Sequence, residues 1–110
     1  MYSSQLLKGT FETIVLKLLS ENDRLYGYEL IQKVKDVSEG DISIPYGSIY
    51  PLLHKLESDG LVSVERVKNG KRVRRYYTIT NAGKDIATER VEEFMRFART
   101  MIQLLRPQTA

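Results

Sequence analysis

The segment PYGSIYPLLHKLESDGLVSVERVKNGKRVRRYYTI, Pro45 to Ile79, decides the fold. Its first half reads as a helix from Tyr46 to Asp59, because Ile49, Leu52, Leu53 and Leu56 recur at helical spacing and make one apolar stripe. Gly60 stands where a helix end needs a residue that takes positive φ without a Cβ clash. The second half changes period. Val62–Val67 and Val73–Ile79 both alternate, and Asn69-Gly70 sits between them, so a two-stranded ribbon with a tight turn is predicted. Tyr77 and Ile79 share one face of that ribbon and are assigned to the core.

The charge of the ribbon carries the functional argument. Residues 66–75 hold Arg66, Lys68, Lys71, Arg72, Arg74 and Arg75 and no acid. The whole chain has 17 basic and 14 acidic residues, for +3; without those six bases, 11 face 14 and the balance is −3. Lysines that guard a sheet edge explain one or two such charges, not six. A polyanion such as a nucleic-acid backbone explains them better. Arg74 and Arg75 point to opposite faces of the strand, so at most one of them faces DNA directly.

The rest of the composition narrows the field. With 110 residues, 42% hydrophobic and 28% charged, the chain reads as one ordinary globular domain. No apolar run approaches the ~18 residues of a membrane span. The start, MYSSQLLK, lacks the basic-then-apolar layout of a secretory signal. The absence of cysteine excludes disulfides and thiolate metal sites and suits a reducing cytoplasm. His54 is the sole histidine, and no metal-ligand spacing, phosphate-binding glycine loop or nucleophile motif is present, so neither a metal nor a cofactor is expected and the sequence points away from an enzyme.

A first helix is predicted over residues 4–20, with Leu7, Phe11, Ile14, Val15, Leu18 and Leu19 on its apolar face. Gly9-Thr10 interrupts it: either Thr10 caps a helix that begins there, or Gly9 is a weak point inside a longer one. A second helix is predicted over residues 26–38, with Leu30, Ile31, Val34 and Val37 as its stripe and Gly27 allowing close backbone approach, to a helix or to a phosphate. Pro51 conflicts with the third helix, where it costs roughly 3 kcal/mol in an interior, so an irregular start with regular helix from about Ser48 is expected. Thr80 reads as the N-cap of a last helix from Asn81 to about Leu105. Its seam, Ala87, Val91, Phe94, Ala98, Met101 and Leu105, keeps heptad steps, widened by Phe97 and Ile102. A helix this long outruns one small core, so a second copy of the chain is the expected partner, through Val91, Phe94, Ala98, Met101 and Leu105 with Phe11 of the first helix; the alternative is a seam packed only against the first helix of the same chain. Arg106–Ala110 reads as a frayed end.

The fold class expected is therefore mainly α with a β-hairpin: a winged helix-turn-helix over residues 1–80, plus a C-terminal dimerisation helix and tail over residues 81–110. The pieces also resemble a known family, the PadR transcriptional regulators. They are Leu7-Lys8-Gly9-Thr10-Phe11-Glu12, Tyr26-Gly27-Tyr28-Glu29-Leu30, Gly47-Ser48-Ile49-Tyr50-Pro51-Leu52-Leu53, Leu56-Glu57, Asp59-Gly60-Leu61, Arg74-Arg75-Tyr76-Tyr77 and Ile79-Thr80-Asn81-Ala82-Gly83. Their order and spacing over residues 6–83 carry the resemblance, and the single helix after the wing resembles the smaller branch. It implies a homodimeric repressor in a bacterial-type cytoplasm that binds operator DNA through the third helix and wing and is released by a small molecule or a stress. It also implies that Ser48, Tyr50 and Lys55 match positions near DNA. Phe94 stands where multidrug-sensing members carry a paired tryptophan.

On that architecture the third helix enters the major groove, with Tyr46, Ser48 and His54 toward base edges. Tyr26, Tyr28, Tyr50 and Lys55 are assigned to phosphates, and Lys68, Asn69, Lys71 and Arg72 of the wing, with Arg74, to the adjacent backbone or minor groove. Phe94, Phe97 and Met101 are candidates for an effector pocket between subunits; the resemblance adds Lys8 and Glu12 to it. Ordinary dimer packing explains the same aromatic and Met residues. The competing reading is a winged-helix module that binds protein instead of DNA; the basic wing argues against it.

Overall fold

The computed structural model of the protein describes residues 2–7 and 9–108; Lys8, assigned above to an effector pocket, lies outside the described residues, as do Thr109 and Ala110 of the tail. The elements run α1 (Ser4–Leu7), α2 (Phe11–Ser20), β1 (Leu25–Tyr26), α3 (Gly27–Val37), α4 (Tyr46–Ser58), β2 (Val62–Asn69), β3 (Arg72–Ile79) and α5 (Asn81–Leu105). The architecture is mainly helical with a small antiparallel sheet, as expected. Four details of the prediction are corrected.

The helix predicted over residues 4–20 is two helices. Gly9 takes φ +87°, which ends α1, so Gly9 precedes α2 and is not a weak point within it. Thr10 does not cap with its side chain; its hydroxyl donates back to the Leu7 carbonyl at 2.7 Å. The ribbon is three-stranded, in the order β1-β3-β2, because Leu25 and Tyr26 pair with Tyr77 and Tyr76. A two-residue strand has no alternation to read, and its partner is about fifty residues away, beyond the reach of a local pattern. The helix α4 starts at Tyr46, not Ser48, and runs through Pro51. Proline at 51 leaves the Gly47 carbonyl without its helical donor, but both residues are exposed, so water solvates that oxygen.

The hairpin register pairs Asn69 with Arg72, so the turn residues are Gly70 and Lys71. Gly70 has φ +66°, and a positive φ at the first central position matches the right-handed twist of the strands. Asn69 ends β2 instead of forming the turn with Gly70 as predicted.

The core is built from Val15, Leu16 and Leu19 of α2, Leu30 and Val34 of α3, Ile49, Leu53 and Leu56 of α4, and Tyr77 and Ile79 of β3. Burying such a side chain stabilises the fold by about 1.5–3 kcal/mol. Ile44, also buried, pins the chain just before Pro45 opens α4. The turn between α3 and α4 is held by the Ser38 hydroxyl, which donates to the Val34 carbonyl at 2.7 Å and accepts from the Ile42 amide at 3.0 Å.

One small lock joins the wing to α5. The Thr80 hydroxyl donates to the Gly60 carbonyl at 2.8 Å and accepts from the Gly83 amide at 3.0 Å, while the Thr80 amide donates to the Leu61 carbonyl at 3.0 Å. Gly83 is buried against this turn: a Cβ there would collide with the Leu61 carbonyl oxygen and come within 2.7 Å of Ile79. Beyond Ala87, α5 leaves the core. The molecule measures 66 × 29 × 20 Å with a radius of gyration of 16.0 Å, where a compact chain of this length has about 13 Å. Among the described residues no helix is long and apolar enough to cross a membrane, and no cluster of three His, Cys, Asp or Glu side chains suits a metal ion.

Candidate nucleic-acid interface

Helix α4 presents Tyr46, Ser48, His54 and Lys55 on its exposed side. Tyr50 lies deeper. Its ring packs over the backbone of Gly27, where a Cβ would sit 2.9 Å from the phenol carbon and oxygen. The glycine at the start of α3 therefore serves helix packing, and α3 and α4 cross at a tyrosine ring. Burial holds the Tyr50 phenol above its ordinary pKa, so it remains an O–H donor. The Tyr46 ring meets Tyr50 edge-on at 6.0 Å.

Tyr26 and Tyr28 separate. Tyr28 is exposed, whereas Tyr26 is half-buried and packs edge-on against Tyr76 at 5.5 Å. The Tyr26 amide donates to the Glu29 carboxylate at 3.1 Å, which satisfies one free donor at the start of α3. Two guanidiniums extend the stack: Arg24 lies 4.3 Å from the Tyr76 ring centre and Arg74 lies 4.6 Å from that of Tyr26. Arg24 also pairs with Glu65 at 3.2 Å.

The strand register sorts the basic residues of the wing by face. Arg66 stands opposite Arg75, and Val64 opposite Tyr77, so both arginines share the face of the core residues Tyr77 and Ile79. Arg74 shares the other face with Tyr76. Lys68, Asn69, Lys71 and Arg72 are exposed near the tip. Arg66 and Arg75 were not singled out as contacts in the sequence, although counting back in twos from Tyr77 finds Arg75 on the core face.

Two predicted residues from different sites prove to be bonded to each other. Glu12 of α2 receives Lys55 of α4 on one carboxylate oxygen at 2.9 Å and Arg90 of α5 on the other at 3.0 Å. Burial raises the Glu12 pKa, but the two cationic donors outweigh it and leave the carboxyl below its ordinary value. Arg90 was not foreseen, because nothing in a linear pattern links residues 12, 55 and 90.

Of the predicted pocket residues, the described ones, Glu12, Phe94, Phe97 and Met101, do not converge within one copy. Glu12 lines an open groove of about 730 Å³ with Tyr2, Leu7, Phe11, Pro45 and Leu52, whereas Phe94, Phe97 and Met101 do not line it. Those three lie on α5, where the Phe94 and Phe97 rings are 6.5 Å apart. Ala87 of the seam is buried; Val91, Ala98 and Met101 are half-buried; Phe94 and Leu105 are exposed, as are Met95, Phe97, Ile102 and Leu104. Phe11 is half-buried against the core.

Residues 15–89 match the transcriptional regulator PadR-like family. A transcriptional regulator of Mycobacterium tuberculosis is 39% identical over 62% of this chain and 64% of its own length. Two solved structures are each 31% identical. One is a PadR family transcriptional regulator from Eggerthella lenta, with a TM-score of 0.82 over 94% of this chain and 88% of that one. The other is a PadR-like transcriptional regulator from Bacillus cereus, with a TM-score of 0.78 over 96% and 100%.

Proposed function

The chain belongs to the PadR-like family of transcriptional regulators, and from that premise we propose that it binds a palindromic operator in double-stranded DNA as a homodimer and acts as a repressor. Residues 1–80 form the DNA-binding unit and residues 81–110 the dimerisation helix and tail. The observation that carries this reading is the charge of the wing: residues 66–75 hold six bases and no acid in a chain otherwise net negative.

In this reading α4 enters the major groove. Tyr46, Ser48 and His54 meet base edges, and Tyr28, Tyr50 and Lys55 meet phosphates, with Tyr26 beside them at the start of α3. Lys68, Asn69, Lys71 and Arg72, with Arg74 at the wing's base, reach the flanking backbone or minor groove. Twofold symmetry sets the half-sites about 34 Å apart. The exposed apolar side chains of α5 support the dimer, since Phe94, Phe97, Ile102 and Leu105 make a face a monomer leaves in water. A small-molecule effector would enter between subunits near Phe94, Phe97 and Met101, with Glu12 at its edge. Loss of a cationic or planar aromatic ligand in Phe94→Ala, with the dimer retained, tests that part.

The deciding experiment selects bound fragments from random DNA and measures affinity against salt. Lys71→Ala with Arg72→Ala should flatten the log–log salt slope by up to ~1.8. An unchanged slope removes the wing from the interface. Sedimentation of Phe94→Asp at low micromolar concentration should give single copies where the parent gives dimers.

A further inference from the structure

Between the start of α3, the side of α4 and the base of the wing lies an open cleft of about 560 Å³. Its lining is Tyr26, Tyr50, Arg66, Val73, Arg74 and Arg75: the guanidiniums of Arg66 and Arg75 from one face of the wing, that of Arg74 from the other, and no carboxylate. Two of them stand in an arrangement that folding alone disfavours. Arg66 and Arg75 are direct cross-strand partners, and like charges placed so repel. Among the described residues neither forms an ion pair with a carboxylate. Glu57 lines the adjoining concavity with His54 and the same two arginines but is not within ion-pair distance of either. Arg74 is fixed from the other side by its stack on Tyr26.

The cleft is thus a preformed concentration of positive charge, with a phenol donor in Tyr50 held over Gly27 at its wall. Planar forks of this kind match the tetrahedral oxygens of a phosphate. We infer that this cleft is a phosphate seat, in which Arg66 and Arg75 grip one phosphate group between α4 and the wing. The inference rests on the DNA-binding reading for its natural occupant, a single backbone phosphodiester whose capture fixes how deep α4 sits in the groove. A free phosphorylated small molecule offers the same chemistry. The cost of the Arg66–Arg75 repulsion is recovered only when the anion arrives. This distinguishes the seat from the tip residues Lys71 and Arg72, which are exposed at the turn and do not line the cleft.

Two arms test it on the full chain, with Arg66→Gln/Arg75→Gln as the variant, Arg75→Lys as its charge-conserving companion, and thermal melting to check that each is folded. In the first arm, each phosphate of the selected operator is replaced in turn by a neutral methylphosphonate. One position should weaken the parent by about tenfold or more, the worth of one charge-assisted contact, and the double variant by less than about twofold. Arg75→Lys should lose most of the affinity at that same position, because a point charge cannot fork. In the second arm, inorganic pyrophosphate is titrated at constant ionic strength while the Tyr50 ring signals are followed by NMR. Saturation in the parent and its loss in the double variant support the seat even where no DNA binds, and in that case the DNA-binding reading fails and the occupant is a small phosphorylated ligand. Identical losses in parent and variant at every methylphosphonate position, together with no saturable pyrophosphate response, overturn the seat while leaving operator binding intact.

Discussion

Gly83→Ala puts one methyl group into the lock between the wing and the last helix. The added Cβ would collide with the Leu61 carbonyl oxygen, with Ile79 2.7 Å away and the Leu61 carbonyl carbon at 3.0 Å. The obstacle is backbone, so no rotamer change relieves it. Either the start of α5 or the Gly60–Leu61 turn must move, and movement strains the hydrogen bonds of Thr80 to Gly60 and from Gly83. Overpacking costs about 1–3 kcal/mol, and each hydrogen bond weakened adds about 0.5–1.5 kcal/mol. The expected loss is about 2–4 kcal/mol, or roughly 10–20 °C in melting temperature for a domain of this size. Circular dichroism melts at one fixed protomer concentration measure it, since association shifts the midpoint. Gly47→Ala is the control: Gly47 is exposed in α4 and a Cβ there meets nothing within 4 Å. It should gain up to about 1 kcal/mol from helix propensity. If Gly83→Ala melts within about 2 °C of the parent, the lock has been misjudged and α5 is not tied to the wing through this turn.

Gly27→Ala meets a movable ring instead of backbone, so it should change stability by less than about 1 kcal/mol yet displace Tyr50 and weaken operator binding by about tenfold in fluorescence anisotropy. Lowering the pH should expose the Glu12 network. Its folded pKa is depressed, so its contribution is complete above the ordinary glutamate range and is lost as pH falls through the folded value. Glu12→Gln should flatten that acid limb in urea titrations and cost about 1 kcal/mol or less at neutral pH, because Lys55 is largely exposed. Glu39 is held at φ +53°, a left-handed conformation costing about 1–2 kcal/mol outside glycine. Glu39→Gly returns part of that as chain entropy and should still stabilise by up to about 1 kcal/mol in denaturant unfolding.

What the sequence determined by itself was local. Helical and alternating periodicity located α3, α4, the hairpin strands and α5, and Gly60, Gly70 and Thr80 marked their ends, because each of those signals acts within a few residues of chain. The gathering of charge on residues 66–75 was equally legible, since a count along the chain needs no coordinates. The tertiary structure decided which distant groups meet. Leu25 and Tyr26 became a strand only because β3 lay beside them, and Glu12 joined Lys55 and Arg90 across three helices. Arg66 and Arg75 came to face the same cleft as Tyr50 through the pairing register of the wing. Periodicity assigns a residue to a face, but what that face meets depends on how the helices and sheet pack, and that is settled by burying the whole core at once.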